Sequence, residues 1–294
     1  IQEVRAADVA VREADLPLVI TMTFEEDGRT VLGTPPETAT AAGAALGAAM
    51  VGANCSLGPE ELLPIAAALV RESRVPVLIQ PNAGLPRLEG KKTVFPTGPQ
   101  EFASQAGRFL ELGVRGLGGC CGTTPDHIRA LAQTVRERRP APLREREGTV
   151  FASRTRAAWC GPGWPPRTVG ERINPTGQKK PSPQLAAGET GKVREEALGQ
   201  AEAGADLLDV NVGVAGLDEV EQLPRIVRLV QNIVDCPLVL DSADPAALEA
   251  AIRVTPGKPL LNSVSGKKES LERVIPLAIR YGAAVLGLPI DKAG

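Results

Sequence analysis

The sequence lacks an excess of charge of either sign, and it lacks any long apolar run. Its 33 basic and 35 acidic residues give a net charge of −2 over 294 residues. Nucleic acids and anionic membrane surfaces attract strongly basic proteins, and a membrane-spanning helix needs about 20 predominantly apolar residues in a row. We therefore expect no nucleic acid and no membrane among the partners of this protein.

Aromatic residues are also scarce, since they make up 3% of the chain although 43% of it is hydrophobic. The apolar content is mainly alanine, valine and leucine, accompanied by 31 glycines. Small and branched aliphatic side chains of this kind are typical of helices packed on parallel sheets. A chain of this length can form one large domain or two modest domains with buried cores.

Cysteines number five, which is odd and argues against a secreted disulfide framework. We therefore expect a cytoplasmic protein. Most free cysteines are inert residues that fill space in a core. We interpret Cys236, just ahead of an apolar run, as such a residue, and Cys160, in a stretch rich in tryptophan, glycine and proline, as structural.

Two adjacent cysteines, Cys120 and Cys121, lie in the segment Gly-Leu-Gly-Gly-Cys-Cys-Gly-Thr-Thr-Pro. Adjacent cysteines cannot readily form a disulfide with each other, but both thiolates can reach one soft cation where glycines let the chain turn sharply. A third cysteine, Cys55, ends another apolar run. Three thiolates with one open position suit a catalytic zinc that also binds a substrate. The sequence therefore predicts zinc at these residues, the alternative being buried, inert cysteines.

The chain alternates between predicted strands and helices up to about residue 139. The predicted strands are 16–24, 50–55, 75–80 and 114–121, and the predicted helices are 38–50, 58–73, 98–112 and 124–138. Strands separated by helices of this length indicate parallel βα units, in which chemistry collects at the carboxyl ends of the strands. The three cysteines fall at such ends. His127, the only histidine, begins the last helix, and we interpret it as a solvated residue rather than a metal ligand.

The stretch 140–166 changes in composition to proline, arginine and glutamate with two tryptophans, which predicts a linker that packs against a neighbour. The alternation then restarts. The predicted strands are 167–174, 206–212, 237–242, 259–263 and 283–289, and the predicted helices are 190–203, 217–234, 245–253 and 267–281. The sequence thus predicts an α/β fold with two parallel segments.

Acidic and amide residues end four successive strands of the second segment. They are Glu171, Asn174, Asp209, Asn211, Asp241 and Asn262. Because these strands are predicted to be parallel, the side chains should form one cup of carboxylates and amides. Such a cup suits a planar heterocycle with several N–H donors on one edge. The alternative is that these residues only cap the helices that follow.

Two groups of motifs resemble known families. The Gly-Ala-Asn-Cys and Gly-Gly-Cys-Cys-Gly-Thr-Thr-Pro segments resemble the homocysteine methyltransferase barrel, in which three cysteines hold zinc. Four later segments resemble the pterin-binding barrel of methyltetrahydrofolate methyltransferases: Gly-Glu-Arg-Ile-Asn-Pro-Thr-Gly, Leu-Asp-Val-Asn, Leu-Asp-Ser and Asn-Ser-Val. The two groups in this order resemble the cobalamin-dependent methionine synthases.

The resemblance implies two (β/α)8 TIM-barrel segments. It predicts that 1–139 is the C-terminal half of a homocysteine and zinc-binding barrel, 140–166 an interdomain linker, and 167–294 the N-terminal part of a pterin-binding barrel. A complete barrel has eight strands, and the alternation predicts four and five. Both segments are therefore expected to be incomplete, and the sequence to be an internal fragment of a longer chain.

The resemblance also implies a reaction. Zinc held by Cys55, Cys120 and Cys121 would take homocysteine sulfur as a ligand, and the thiolate would receive a methyl group from cobalamin. Cobalamin would be bound by a module outside this chain, of the same or another polypeptide. It would be remethylated by methyltetrahydrofolate in the second segment, with Asp209, Asp241 and Asn262 as candidate catalytic residues.

Two other functions remain open from the sequence. A zinc-dependent homocysteine methyltransferase that uses another donor, such as betaine, shares the cysteine motif, although the pterin-type segment argues against it. The chain could also be a non-catalytic metal-binding scaffold.

Overall fold

The computed structural model describes residues 2–143, 147–175, 190–214 and 216–289. Parallel strands alternate with helices in them, so the α/β class with (β/α)-type segments predicted from the sequence is confirmed. The chain divides into two compact units, one of residues 11–146 and one of residues 1–10 with 147–294. Over these described residues, no helix is both long and apolar enough to cross a membrane.

The unit of residues 11–146 is built on a four-stranded parallel sheet. In spatial order its strands are β1 (Val19–Met22), β2 (Met50–Asn54), β3 (Val77–Gln80) and β6 (Gly116–Leu117). The two central strands approach closely at Gly52, where a Cβ atom would lie 1.8 Å from the carbonyl oxygen of Leu78. Only glycine fits at this position. Because the four strands are parallel, their carboxyl ends all lie at one edge of the sheet.

Helices follow these strands and cover the sheet. They are α2 (Pro36–Ala45), α3 (Leu62–Glu72), α4 (Pro99–Ser104), α5 (Ala106–Leu112) and α6 (Pro125–Val135). Proline occupies the first turn of α2, α4 and α6, where the missing N–H has no intrahelical partner to lose. Gly113, with a φ of 103°, ends α5 in the left-handed conformation. The core includes Phe24, Leu69 and Phe109, each at most 2% exposed.

Three local predictions for this unit differ from the structure. The single helix predicted over 98–112 is two helices, α4 and α5. The strand predicted over 114–121 is paired only at β6. Beyond it, the N–H of Gly118 bonds to Ile79 of β3, and the N–H of Cys120 bonds to Pro81 in the loop that follows β3. A hairpin of β4 (Arg87–Glu89) and β5 (Lys92–Val94) was not predicted, since its short strands are charged and largely exposed.

The other unit is built on a five-stranded parallel sheet. In spatial order its strands are β13 (Ala284–Leu288), β12 (Leu260–Ser265), β11 (Leu238–Asp241), β10 (Leu207–Asn211) and β9 (Val169–Ile173). Its helices are α7 (Gly191–Glu202), α8 (Glu219–Gln231), α9 (Pro245–Val254) and α10 (Lys268–Tyr281). Asp218 and Asp244 cap α8 and α9 by accepting hydrogen bonds from their first turns. All these elements lie close to their predicted positions.

The predicted linker contains a β-hairpin that belongs to this second unit. Strands β7 (Thr149–Ala152) and β8 (Ala157–Cys160) pair antiparallel. Phe151 and Ala158 of the hairpin are buried against Leu207 and Val239 of the parallel sheet. The apolar residues of 140–166 therefore complete a core rather than form a tether, while Arg144, Glu145 and Arg146 of that stretch lie outside the described residues.

The first helix of the chain, α1 (Gln2–Glu13), also contributes to the unit that contains residues 147–294. Arg5 is only 4% exposed. Its guanidinium donates to the main-chain oxygens of Ile252, Thr255 and Gly257 at 2.7, 2.6 and 2.9 Å. This contact explains why residues 1–10 group with the second unit, although the sequence analysis places them in the first segment.

Candidate functional sites

Three cysteine sulfurs meet at the carboxyl edge of the sheet in the unit of residues 11–146. Cys55 directly follows β2, and Cys120 and Cys121 follow β6. The three Sγ atoms lie within 4.8 Å of one another, and those of Cys55 and Cys121 are 3.6 Å apart. Cys121 is exposed and the other two are half-buried. The cluster is therefore accessible from solvent on one side.

The loop that follows β3 holds the paired cysteines in place. The N–H of Cys120 donates to the oxygen of Pro81 at 2.8 Å, and the N–H of Ala83 donates to the oxygen of Cys121 at 2.9 Å. Asn82, 3% exposed, accepts a hydrogen bond from the N–H of Cys121 on its Oδ1 at 3.0 Å. Because β3 lies between β2 and β6, this one loop sets the spacing of the sulfurs. Asn82 was missed from the sequence because Pro-Asn-Ala-Gly looks like an ordinary turn.

The thiols of the cluster differ in acidity. Burial opposes ionisation of Cys55, but hydrogen bonds from the backbone N–H of Ser56 and from the side chains of Cys121, Cys120 and Asn82 outweigh it, so the pKa of Cys55 is lowered. The pKa of Cys121 is raised to about 11, first by its hydrogen bond to Cys55 and then by desolvation. Cys55 is thus the better thiolate of this pair, and a cation in the cluster would displace the Cys121 proton.

The donor set fits zinc. Tetrahedral zinc binds thiolates at about 2.3 Å, which places two ligand sulfurs about 3.8 Å apart. The separation of 3.6 Å between the sulfurs of Cys55 and Cys121 agrees with this value. Three sulfur ligands also leave one tetrahedral position for a substrate, which is the arrangement of catalytic rather than structural sites.

In the second unit, polar side chains form a row across three adjacent strands, at the carboxyl ends of β10 and β11 and within β12. Asn211, Asp241 and Asn262 are direct neighbours in the register of β10, β11 and β12. The side-chain amide of Asn211 donates to Asp241 Oδ2 at 2.8 Å, and its Oδ1 accepts from the N–H of Gly213 at 2.7 Å. Asn211 is therefore held in one orientation, and it leaves the second carboxylate oxygen of Asp241 for another donor.

Asp209 lies one layer deeper than this row. It precedes Asn211 by two residues and pairs in register with Val239 rather than with Asp241. Its Oδ2 accepts a hydrogen bond from Asn262 Nδ2 at 3.3 Å, whereas its buried Oδ1 has no hydrogen-bond partner. Asp209 is 3% exposed. A buried carboxylate oxygen without a donor is unfavourable, so this oxygen is a candidate acceptor for an N–H or O–H group of a ligand or a water molecule.

The pKa values of the two carboxyl groups of this site are raised. Burial raises the pKa of Asp209 to about 7, and the charge of Asp241 adds to the effect. Burial also raises the pKa of Asp241, although the hydrogen bond from Asn211 opposes it. Glu171 contributes to both shifts by repulsion. A ligand with hydrogen-bond donors on one edge would stabilise the ionised carboxylates, and its binding would therefore lower these pKa values.

The raised pKa of Asp209 predicts a pH dependence of stability. Between pH about 4 and about 7 the folded protein retains a proton that the unfolded chain has lost, so stability falls as the pH rises through this range. Asp209→Asn cannot titrate. We expect the unfolding free energy of the wild type, relative to Asp209→Asn, to fall by on the order of 4 kcal/mol between pH 4 and 8.

Urea unfolding followed by tryptophan fluorescence measures this difference in unfolding free energy for the unit that contains Asp209. The chain has two tryptophans, Trp159 and Trp164, and both belong to the unit that contains Asp209. A wild-type minus variant difference that does not change with pH would show that Asp209 ionises at its ordinary pKa.

The strand before the row contributes less to the geometry. Glu171 on β9 is exposed, and Asn174 Nδ2 lies 3.5 Å from Glu171 Oε1. Thr176 and Gly177 of the same motif lie outside the described residues. A contact that the sequence analysis missed lies beside Asp241: Ser242 Oγ donates to Glu219 Oε2 at 2.5 Å. Glu219 gave no signal, because an acidic residue in the first turn of a helix is common.

The prediction for His127 was wrong. His127 is 6% exposed and is not solvated. Its Nδ1 accepts from the N–H of Thr124 at 3.2 Å, its Nε2 lies 2.9 Å from the oxygen of Thr97, and its ring meets Phe102 edge-on. The histidine caps α6 from inside the fold, where a helix-start residue was expected to face water. Cys236 is buried, as predicted, and Cys160 is half-buried.

Comparison with known proteins divides the chain into two matched segments. Residues 1–135 match the family model described as homocysteine S-methyltransferase, and residues 170–293 match the one described as pterin binding enzyme. The two matches fall on the two parts of the chain that carry the cysteine cluster and the row of strand polar residues.

Particular relatives share both segments. Over 290 residues, 95% of this chain, the sequence is 33% identical to methionine synthase of Mycobacterium leprae (strain TN). Over 286 residues it is 34% identical to methionine synthase of Mycobacterium tuberculosis (strain ATCC 25618 / H37Rv). The resemblance to methionine synthase is thus confirmed, and the chain spans 24% of the length of these relatives.

Solved structures give a weaker likeness. The (S)-3-O-geranylgeranylglyceryl phosphate synthase of Thermoplasma acidophilum aligns over 92% of this chain and 96% of its own, with 13% identity and a TM-score of 0.28. Dihydropteroate synthase of Xanthomonas albilineans aligns over 92% of this chain and 86% of its own, with 15% identity and a TM-score of 0.25. The fold assignment rests on strand order and register, not on these alignments.

Proposed function

We propose that this chain carries the two substrate sites of a methyl transfer from 5-methyltetrahydrofolate, by way of cobalamin, to zinc-activated homocysteine, giving methionine and tetrahydrofolate. The observation that carries the proposal is the meeting of three cysteine sulfurs within 4.8 Å of one another. In this proposal residues 1–139 form the homocysteine segment, 167–294 the pterin segment, and 140–166 the connection. The protein is cytoplasmic.

Cys55, Cys120 and Cys121 hold zinc in this proposal. A thiol with an ordinary pKa of about 8.5 is mostly protonated at neutral pH and is a poor nucleophile. Zinc bound there supplies a Lewis acid that keeps the sulfur of homocysteine deprotonated. The chain itself keeps the three thiolates converged through the loop after β3, and the exposed side of Cys121 leaves room for the substrate.

Asp209, Asp241 and Asn262 bind the pterin ring and are the candidate catalytic residues. A pterin presents adjacent N–H donors on one edge, and a buried carboxylate that accepts two of them forms a strong, orienting pair. The unpartnered Oδ1 of Asp209 supports this role. Glu171, Asn174 and Asn211 complete the site.

The transfer step also needs a proton, because the methyl group leaves N5 of the folate only when that nitrogen becomes positively charged. Cobalamin, bound by a module of the same or another chain, supplies the group that carries the methyl between the two sites.

X-ray absorption at the zinc edge tests the proposal in the intact protein. Adding homocysteine should raise the number of sulfur ligands from three to four, since the substrate sulfur enters the open position. Adding methionine, which has no thiol, is the matched control and should leave three. A sulfur shell that does not respond to homocysteine would favour a non-catalytic metal-binding scaffold.

A further inference from the structure

The backbone at Cys55 is unusual. Cys55 and Ser56 are consecutive non-glycine residues in the left-handed conformation, with φ values of 65° and 60°. Each such residue costs about 1–3 kcal/mol and persists only where its surroundings hold it. Contacts around this pair must therefore stabilise the bend that aims the Cys55 sulfur into the cluster.

Backbone hydrogen bonds hold both sides of the bend. The N–H of Cys55 donates to the oxygen of Gln80 at 3.1 Å, and the N–H of Leu57 donates to the oxygen of Cys55 at 2.7 Å. Between them, the hydroxyl of Ser56 donates to Glu25 Oε2 at 3.1 Å. This is the side-chain contact that reaches the bend from the loop after β1, the strand that pairs with β2.

Glu25 is itself firmly placed. It follows Phe24, which is fully buried. Its N–H donates to the oxygen of Arg29 at 2.7 Å, and its oxygen accepts from the N–H of Gly28 at 2.9 Å, so the residue opens a tight turn. The backbone of Glu25 is therefore fixed, and its half-buried side chain reaches the Ser56 hydroxyl from that position.

We infer that Glu25, acting through the Ser56 hydroxyl, is a positioning residue for the thiolate of Cys55 and thereby sets the metal affinity of the cluster. Ser56 directly follows Cys55 and shares its left-handed bend, so fixing the Ser56 side chain holds the bend that aims the Cys55 sulfur into the cluster. Hydrogen bonds to metal ligands commonly change affinity by 10–100-fold. The inference rests on the proposed zinc site.

Zinc affinity of the purified intact protein, measured by competition with a chromophoric chelator, tests the inference. We expect Glu25→Ala to weaken zinc binding by about 10–100-fold. Glu25→Gln retains an acceptor oxygen for the Ser56 hydroxyl and should stay close to the wild type. Glu26→Ala removes an exposed carboxylate from the same loop and is the matched control for the change of charge.

A double-mutant cycle separates this contact from general destabilisation. Ser56→Ala should weaken zinc binding as much as Glu25→Ala, and the double variant should be no weaker than either, because both remove one hydrogen bond. With cobalt in place of zinc, the thiolate-to-metal absorption should fall in both single variants and be retained in Glu25→Gln.

Three results would overturn the inference: equal zinc affinity in Glu25→Ala and Glu26→Ala, additive losses in the double variant, or a Glu25→Gln protein as weak as Glu25→Ala. Failure of the wild type to bind zinc would instead refute the proposed function. The two failures are therefore distinguishable in the same titration.

Discussion

Replacing both Cys120 and Cys121 by alanine should abolish zinc binding. Structural zinc sites are worth about 10–16 kcal/mol in total, so each of four ligands contributes on the order of 3 kcal/mol, or about a hundredfold in affinity. Loss of two thiolates would leave only Cys55, which cannot retain the ion against water. Zinc content of the purified protein should fall from about one ion per chain to none, measured by atomic absorption.

The control for this experiment lies in the same chain. Cys160→Ala also removes a half-buried thiol, but from the β7–β8 hairpin and not from the sulfur cluster. Its zinc content should equal that of the wild type. Stoichiometric zinc in the protein that carries both Cys120→Ala and Cys121→Ala would show that other residues hold the zinc.

Methyltetrahydrofolate binding should weaken when the strand-end carboxylates lose one oxygen. In Asp241→Asn the remaining oxygen would still accept from Asn211, which turns the new NH2 group towards the donor edge of the pterin. Such a mismatch costs about 1–3 kcal/mol, or about 5- to 150-fold in the dissociation constant measured by titration calorimetry. Asp209→Asn should have an effect of the same size, since it alters the deeper carboxylate.

Asp244→Asn is the matched control, because it makes the same chemical change three residues further on. Asp244 is half-buried and caps α9, where asparagine caps equally well. Zinc content should stay at the wild-type value in all three proteins, since the cysteines belong to the other unit. Unchanged folate affinity in both Asp209→Asn and Asp241→Asn would mean that these residues only support the fold.

Most of the parallel strands and their helices were predictable, because each strand is a short apolar run bounded by glycine, proline or an acid. The two hairpins were not. Strands β4 and β5 are exposed and charged, so they carry no apolar pattern. Strands β7 and β8 lie among prolines and arginines. Their apolar residues pack against Leu207 and Val239, and this contact can be seen only in the folded structure.

The candidate site residues were readable from sequence because each lies in, or just after, one of the successive predicted strands. Their relative depth was not, since the distance between Asp209 and Asp241 depends on the register of β10 with β11. The left-handed conformation of Cys55 and Ser56 could not be predicted either, because neither residue type favours that conformation. Glu25 and Asn82 act across loops that are far apart in sequence, so local patterns could not reveal them.

The β7–β8 hairpin determines where the two units can be separated for study. The match to the pterin binding family starts at residue 170, and a truncation just before this residue would follow from that boundary. Such a truncation would remove Phe151 and Ala158 and leave Leu207 and Val239 facing water. A start near residue 147 keeps this apolar layer but removes the Arg5 contacts of α1. The region between the two matched segments should therefore be expressed together with the second of them.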